Sequence, residues 1–128
     1  MGAHDLYWHV EITHGQRTVA AADVTISSES ARASLRAEAG HLPPGIRTSL
    51  VDAVLDFLEV RNSARLEATV PLGDSESLRR LRERCHDVNT HPAGASVLLD
   101  ARIPAGGAHV PAGAGLPVIV RWLDPGPA

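Results

Sequence analysis

Hydrophobic and polar residues alternate along most of the first forty positions of the chain. The alternation runs through residues 6–13 and, after a turn at residues 14–16, resumes through residues 17–26. A period of two is typical of a half-buried strand, so the sequence predicts a β-hairpin. Residues 30–39 alternate in the same way, and a helix there would bury only Leu35 and small alanines on any one face. We therefore predict a third strand over residues 30–39.

The pattern changes to helical spacing after Gly45. Apolar residues then recur every three or four positions, which places them on one face of a helix about four turns long. They are Ile46, Leu50, Val51, Val54, Leu55 and Leu58. Asp52 and Asp56 fall on the opposite face, where an exposed acidic surface is the usual explanation rather than a cation site. A helix that begins at a glycine-containing turn can direct free backbone N–H groups at an anion.

The rest of the chain predicts further strands at residues 65–72 and 95–103. Between them a second helix starts within residues 73–77, with Asp74 or Ser75 as its N-cap. Residues 104–115 are rich in Gly, Pro and Ala and predict a flexible loop. Residues 116–123 predict a final edge strand, and residues 124–128 are expected to fray.

This order of elements predicts the fold class. Runs of strands followed by mixed helices and strands are typical of an α+β fold. We expect a mostly antiparallel sheet, built from a three-strand meander and then helix, strand, helix and strand, with two main helices. The length of 128 residues indicates a single domain over residues 1–128.

The composition of the chain argues against some classes of function and indicates a cellular location. The chain has 12 basic residues and a formal net charge of −3, which argues against a nucleic-acid-binding surface. All 12 are arginines, a bias typical of a GC-rich bacterial genome, and the cluster Arg79, Arg80, Arg82 and Arg84 predicts a solvated helix face. No apolar run approaches the ~20 residues of a membrane span, and no secretory signal is evident. We expect a cytoplasmic protein without membrane contact.

Cys85, His86, Asp87 and His91 form the densest group of candidate metal ligands or nucleophiles. Their spacing matches no strong zinc pattern, and a second Cys or His pair is absent. We therefore predict no metal site, with Cys85 as a small core residue. His86 and His91 are interpreted as loop residues that cap the end of the second helix.

A second polar group lies on the first predicted strand. His9, Glu11 and Thr13 share one face there and could line a cleft as general acid or base. A solvated strand face is the simpler interpretation. Trp8 and Trp122 are interpreted as core anchors rather than as a ligand-stacking surface.

The passage through residues 40–86 resembles the central part of the GNAT acetyltransferase superfamily. In that family three antiparallel strands lead into a Q/R-x-x-G-x-G/A turn, where backbone amides and a helix start hold the pyrophosphate of acetyl-CoA. Residues 42–51, LPPGIRTSLV, stand in the place of that turn, and residues 65–84 look like the family's next strand and helix. The resemblance implies a GNAT-like fold. If an acyl-CoA binds, it also implies that Gly45, Ile46, Arg47 and Thr48 bind it.

The chain departs from the family pattern at positions that matter for chemistry. Leu42 stands in place of the Gln or Arg, and Arg47 replaces the second Gly or Ala. Pro43 and Pro44 have no N–H to donate to a phosphate. Leu81 stands where the family often has a tyrosine that protonates the leaving thiolate. No catalytic residue can be assigned from the sequence.

These departures lead to two hypotheses. In the first, the chain is a GNAT-like domain that has lost efficient acetyl transfer, uses no cofactor, and serves as a binding or assembly module. Because small sheet proteins with few large side chains often complete their core by pairing, a homodimer or other homo-oligomer, or a protein partner, is expected. In the second, the chain is an active N-acyltransferase dependent on acetyl-CoA or another acyl-CoA. Arg47 then substitutes for the missing amide contacts.

Overall fold

A computed structural model describes residues 6–28, 30–38, 42–104 and 118–123 of the chain. The described residues form seven strands and three helices. The strands are β1 (Leu6–His14), β2 (Arg17–Ser27), β3 (Ser30–Ala37), β4 (Arg65–Pro71), β5 (His86–Ala93), β6 (Ser96–Arg102) and β7 (Val118–Leu123). The helices are α1 (Ile46–Asp56), α2 (Leu58–Arg61) and α3 (Ser75–Arg84). None of these helices is long and apolar enough to cross a bilayer.

All seven strands join one sheet in the order β5-β6-β4-β3-β2-β1-β7. Every neighbouring pair is antiparallel except β3 and β4, which are parallel and are connected through α1 and α2. A parallel pair needs such a crossover because its strands enter the sheet from the same end. The predicted α+β class with a mostly antiparallel sheet is confirmed.

The parallel strands β3 and β4 separate at their carboxyl ends. Their register pairs run from Ser30 opposite Arg65 to Ser34 opposite Thr69. Beyond these pairs β3 continues to Ala37 and β4 to Pro71 without a ladder between them. A gap therefore opens in the sheet at the end from which the chain leaves each strand toward α1 or α3.

The core lies between one face of the sheet and the helices α1 and α3. Alternate residues of the strands point into it, and its largest fully buried side chains include Ile12, Ile46, Leu50, Leu66, Leu81 and Leu99. The strand predicted at residues 30–39 is confirmed for Ser30–Ala37, where Ala31, Ala33 and Leu35 are buried. Residues 39–41 lie outside the described part of the chain.

The first helix is shorter than predicted. Its regular turns end at Asp56, because Phe57 has an extended backbone with ψ of 130°, and α2 follows as a separate short turn. Leu58, expected on the buried face, is 61% exposed. Phe57 turns toward the core instead. Its ring stacks on Trp122 with centroids 3.9 Å apart and meets Trp8 edge-on at 5.0 Å. Both tryptophans therefore pack against the core, as predicted.

Strand β5 is not predicted by the pattern of the sequence. The sequence predicts His86 and His91 as loop residues, but both lie in strand β5 (His86–Ala93), which forms a hairpin with β6 through a turn at Gly94 and Ala95. The strand lies at the sheet edge and most of its residues are exposed, so it lacks an apolar face that period-two analysis could detect. His86 and His91 consequently belong to a strand and do not cap α3.

The remaining sequence predictions concern the carboxyl-terminal part. The predicted edge strand is confirmed over Val118–Leu123, which pairs with β1. The flexible loop predicted at residues 104–115 lies outside the described residues apart from Pro104, and so do residues 116–117 and the tail at 124–128. The assignment of residues 1–128 to a single domain stays a prediction.

Candidate functional site

The start of α1 and the start of α3 meet beside the gap between β3 and β4. A cavity of about 430 Å³ opens there. The residues that line it are Ala37, Glu38, Arg47, Pro71, Leu72, Gly73, Asp74, Ser75 and Glu76. The turn that carried the sequence resemblance thus lies next to a cavity at the open end of the sheet. We call Gly45, Arg47, Thr48, Asp74, Glu76 and Ser77 the helix-start cluster.

The first helix has no cap from its own turn. Gly45 is the N-cap with φ of 98°, a conformation that a glycine adopts without strain, and it has no side chain to accept a hydrogen bond. The cap comes from α3 instead. One carboxylate oxygen of Glu76, Oε2, accepts from the Gly45 N–H at 3.2 Å, from the Thr48 N–H at 2.8 Å and from the Thr48 Oγ1 hydroxyl at 2.9 Å. A side-chain carboxylate therefore occupies the anion-binding end of α1.

The start of α3 is capped in turn, and it contacts α1. Asp74 is its N-cap, as one of the two predicted alternatives, and it accepts from the Ser77 N–H at 3.1 Å and from the Ser77 hydroxyl at 2.7 Å. The Arg47 guanidinium of α1 lies 3.1 Å from the same carboxylate, which is only 4% exposed. Each helix therefore supplies a charged group to the start of the other.

The resemblance implied that four residues bind a cofactor: Gly45, Ile46, Arg47 and Thr48. In the structure they have three different kinds of surroundings. The N–H groups of Gly45 and Thr48 converge on Glu76. The Arg47 side chain is held by Asp74. Ile46 is fully buried, and its N–H contacts the Pro43 carbonyl at 3.4 Å. Sequence reasoning missed Glu76, whose only signal was its place in the first turn of the second helix.

The charge of the cavity is acidic. Of the described residues that line it, Glu38, Asp74 and Glu76 carry carboxylates and Arg47 carries the balancing guanidinium. Glu38 is paired with Arg17, which does not line the cavity. A polyanion that entered would meet like charge, because close carboxylates repel it and the α1 amides already have an acceptor.

A second contact joins α1 to α3 and corrects two predictions. Asp52, expected to be exposed, is buried. Its carboxylate accepts from Arg80 Nε at 2.7 Å and from Arg84 Nη1 at 3.1 Å. Arg84 also contacts Asp56 at 2.8 Å. Two members of the predicted solvated arginine face are therefore largely buried, and the hydrogen bond to Asp52 raises the pKa of Arg80.

Of the three residues predicted to share one face of β1, His9 and Glu11 contact each other, whereas the ladder with β2 shifts register just before Thr13. Strand β2 adds a charged partner to His9, and β3 contacts that partner in turn. The His9 ring lies 2.8 Å from Asp23 at Nδ1 and 3.1 Å from Glu11 at Nε2, while Arg36 contacts the second oxygen of Asp23. Burial alone would raise the pKa of Asp23, but the hydrogen bonds from His9 and Arg36 outweigh it and hold that pKa below 3.8. The face is thus a bonded network rather than a simply solvated one.

Asp23 gives the protein an acid-sensitive contact. Because its folded-state pKa is lowered, its contribution to stability is present above pH ~4 and is lost as the pH falls through the folded value. We expect Asp23→Asn to lower the free energy of unfolding by less than about 1 kcal/mol at pH 6, since the carboxylate is more than half exposed. Urea unfolding at pH 6 and pH 3 measures the difference between variant and wild type. A difference that grows toward pH 3 would contradict this account.

Cys85 is buried among core residues, as predicted. Burial raises the pKa of its thiol to about 11, although Arg84 opposes the shift. Among the described residues no group of three or more His, Cys, Asp or Glu side chains is placed to hold a metal ion. The contribution of the neutral thiol to stability is present below pH 9 and is lost as the pH rises toward 11.

The buried thiol should react slowly in the folded protein. The thiolate is the nucleophile, and a shift of the pKa from 9.0 to about 11 lowers its population about 100-fold at pH 8. We expect labelling of Cys85 by a disulfide reagent to be at least that much slower in native buffer than in denaturant. A spectrophotometric time course measures both rates. Equal rates would show that the thiol is accessible in the native state.

Comparison with known proteins relates this geometry to solved folds. The chain matches no protein-family model. It also matches no curated protein sequence. Its structure is similar to a protein assigned as an acetyltransferase from Sphaerobacter thermophilus DSM 20745, with a TM-score of 0.56 and 10% identity over 77% of this chain and 70% of the other.

Two further crystal structures give the same result. Ribosomal-protein-alanine N-acetyltransferase from Brucella melitensis matches with a TM-score of 0.54 and 14% identity, over 74% of this chain and 68% of the other. A GNAT-family acetyltransferase from Streptococcus pneumoniae matches with a TM-score of 0.52 and 10% identity, over 73% of this chain and 64% of the other. Identities this low establish the fold and not the activity. The chain therefore has the GNAT-like fold that its central residues predicted.

Proposed function

We propose that this chain is a GNAT-like domain that has lost efficient acetyl transfer and acts as a binding or assembly module. The proposal depends on one observation: the Glu76 carboxylate accepts three hydrogen bonds at the start of α1. In the superfamily that the sequence resembles, this helix start holds the pyrophosphate of acetyl-CoA. An anion that belongs to the chain itself takes that place here.

The geometry of Glu76 gives it an advantage over a free anion. Its carboxylate is attached to the first turn of α3, so binding to α1 costs no translational freedom. A diphosphate would have to displace it and leave a carboxylate without partners beside Asp74 and Glu38. Repulsion among these charges adds to the cost of displacement.

The active-enzyme hypothesis receives less support from the same residues. It needed Arg47 to replace the missing amide contacts, yet the Arg47 guanidinium is paired with the nearly buried Asp74 carboxylate. Leu81, which stands at the position of the family's tyrosine, is buried and has no proton to donate. We therefore favour the binding module over an acyl-CoA-dependent N-acyltransferase.

The exposed apolar residues of the outer strand favour the assembly part of the proposal. Strand β7 pairs with β1 alone among the described strands. It exposes Ile119 (61%) and Val120 (44%), which are neighbours in the strand and therefore point to opposite faces. An apolar edge strand of this kind favours pairing with another chain. We propose a second copy or a protein partner at this edge.

Calorimetric titration with acetyl-CoA tests the loss of transfer. We expect no saturable binding by the wild type up to about 1 mM, which corresponds to a binding free energy weaker than about −4 kcal/mol. No release of free thiol from acetyl-CoA should accompany incubation with a panel of amines. Micromolar binding that Gly45→Trp abolishes, or turnover with any amine, would overturn the proposal.

Removal of the internal carboxylate provides a sharper version of this test. We expect Glu76→Ala to free the α1 amides and to bind pyrophosphate at least about tenfold more tightly than the wild type, because a charge-assisted competitor is gone. Glu76→Gln is the matched control, since it keeps an acceptor oxygen at the same position and should give an intermediate gain. Equal affinities for pyrophosphate in all three proteins would show that Glu76 does not block the site.

The assembly part has a separate readout. We expect sedimentation velocity to show a species larger than one chain at micromolar concentrations, and Ile119→Lys with Val120→Lys to shift it toward a single chain. Leu72→Lys, at an equally exposed apolar position away from β7, is the control. A wild type that stays monomeric at all concentrations would limit the proposal to a different partner protein.

A further inference from the structure

A larger cavity opens at the opposite end of β4, away from the helix-start cluster. Its volume is about 910 Å³, within the range of small-molecule sites. It lies among the end of α2, the loop that leads into β4, the start of β5 and the end of β6. Its lining consists of Arg61, Asn62, Ser63, Ala64, His86, Asp87, Arg102, Ile103 and Pro104. Neither the resemblance nor the proposed function makes use of this cavity.

Basic side chains lie next to one another across the sheet at this end. Arg65 of β4 is the register partner of Arg102 of β6, and Arg102 is in turn the partner of His86 of β5. Register partners in antiparallel strands have Cβ atoms only about 4.5–5.5 Å apart, and like charges placed there destabilise a sheet. A bound anion would offset the repulsion among these neighbouring positive charges. Arg61 adds another guanidinium to the cavity wall.

The acidic residues nearby leave these cations largely uncompensated. Asp87 approaches Arg102 at 3.7 Å, which is longer than a hydrogen bond, and both side chains are more than two-thirds exposed. Two register pairs further along β4, Glu67 forms an ion pair with Arg32 at 3.3 Å. Asp100 faces Glu67 across the ladder and makes no ion pair with Arg65 or Arg102 among the described residues. Arg61 likewise has no side-chain partner among them.

The position of Asp87 is itself unusual. Asp87 and Val88 lie together opposite Ala101, because the ladder slips by one residue between His86 and Asn89. This bulge places Asp87 at φ of +53°, a conformation that non-glycine residues rarely adopt. The bulge therefore lies at the start of β5, where His86 and Asp87 line the cavity.

We propose that this cavity binds a small phosphate monoester. Two guanidinium groups on the last residues of α2 and β6 can each donate a pair of N–H bonds to phosphate oxygens. His86 and the Asn62 amide supply further donors at the same wall. Ile103 and Pro104 give an apolar surface for the ester group. The chain thus carries a basic site at one end of β4 and an acidic site at the other.

Titrations at constant ionic strength test the proposal, with inorganic phosphate and glycerol 3-phosphate as probes and acetate and glycerol as controls. We expect saturable binding of both phosphates by nuclear magnetic resonance, with the largest shifts at His86 and the residues near it. Arg61→Gln and Arg102→Gln should each weaken binding about tenfold. Both side chains are exposed, and circular dichroism verifies that the variants fold.

Arg79→Gln is the matched control, since Arg79 is an exposed arginine on α3 outside the cavity. It should bind the phosphates like the wild type. Absence of saturable binding, an equal loss in Arg79→Gln, or binding abolished by Arg47→Gln at the helix-start cluster would each overturn the proposal. Acetate that binds as tightly as phosphate would overturn the assignment of ligand class.

Discussion

Asp52→Ala is expected to lower the free energy of unfolding by about 3 kcal/mol. The substitution removes the carboxylate that accepts from both Arg80 and Arg84, whose side chains are only 13% and 14% exposed. Arg80 then loses both of its hydrogen bonds to Asp52, and Arg84 keeps only its contact with Asp56. Because a domain of this size is stable by only about 5–15 kcal/mol, the loss should be evident in urea unfolding.

Arg79→Ala provides the control for this experiment. It removes an exposed arginine from the same helix and should change stability by less than about 0.5 kcal/mol. A double-mutant cycle of Asp52→Ala with Arg80→Ala separates the pair from its surroundings. If the single and double variants lose stability additively, the contact does not couple the two helices.

Phe57→Ala should be about as costly, at about 3 kcal/mol, because it removes an aromatic ring that two other rings contact. The effect also has its own spectroscopic signature. The chain has two tryptophans, and both pack on Phe57. We expect the fluorescence maximum to move to longer wavelength and the near-ultraviolet dichroism to weaken in the native state.

The neighbouring Leu58 supplies a control of similar size. Leu58 is 61% exposed, so Leu58→Ala should leave both spectra unchanged and cost less than about 0.5 kcal/mol. Unchanged tryptophan spectra in Phe57→Ala would show that the rings do not depend on Phe57 for their packing.

The spacing of apolar residues in the sequence predicted those strands and helices that bury one face in the core. Alternation identified β1, β2 and β3, the last against its helical composition, because Ala31, Ala33 and Leu35 are buried in the core. Helical spacing located the start of α1. The same reasoning failed for β5, which is a polar edge strand, and for Phe57, where an aromatic side chain reaches the core by breaking the helix.

The candidate site was less predictable, since its contacts join distant parts of the chain. The sequence indicated that Gly45 and Thr48 could direct N–H groups at an anion, but the anion is Glu76, which lies 31 positions after Gly45. Asp52 was expected in solvent because no local feature shows that Arg80 and Arg84 pack over it. Contacts between two helices depend on how both lie on the sheet, and periodicity does not carry that information.

The pairing of β7 with β1 has a consequence for the order of folding. His9 lies opposite Leu123, so the whole segment from His9 to Leu123 must leave the ribosome before this ladder can form. Until then β1 has free backbone donors and acceptors along one side, next to the apolar Val10 and Ile12 side chains. Non-local pairing of this kind is slow, and an open edge promotes aggregation in the interval. Pairing with β7 therefore ends the interval in which this edge of β1 is open to other chains.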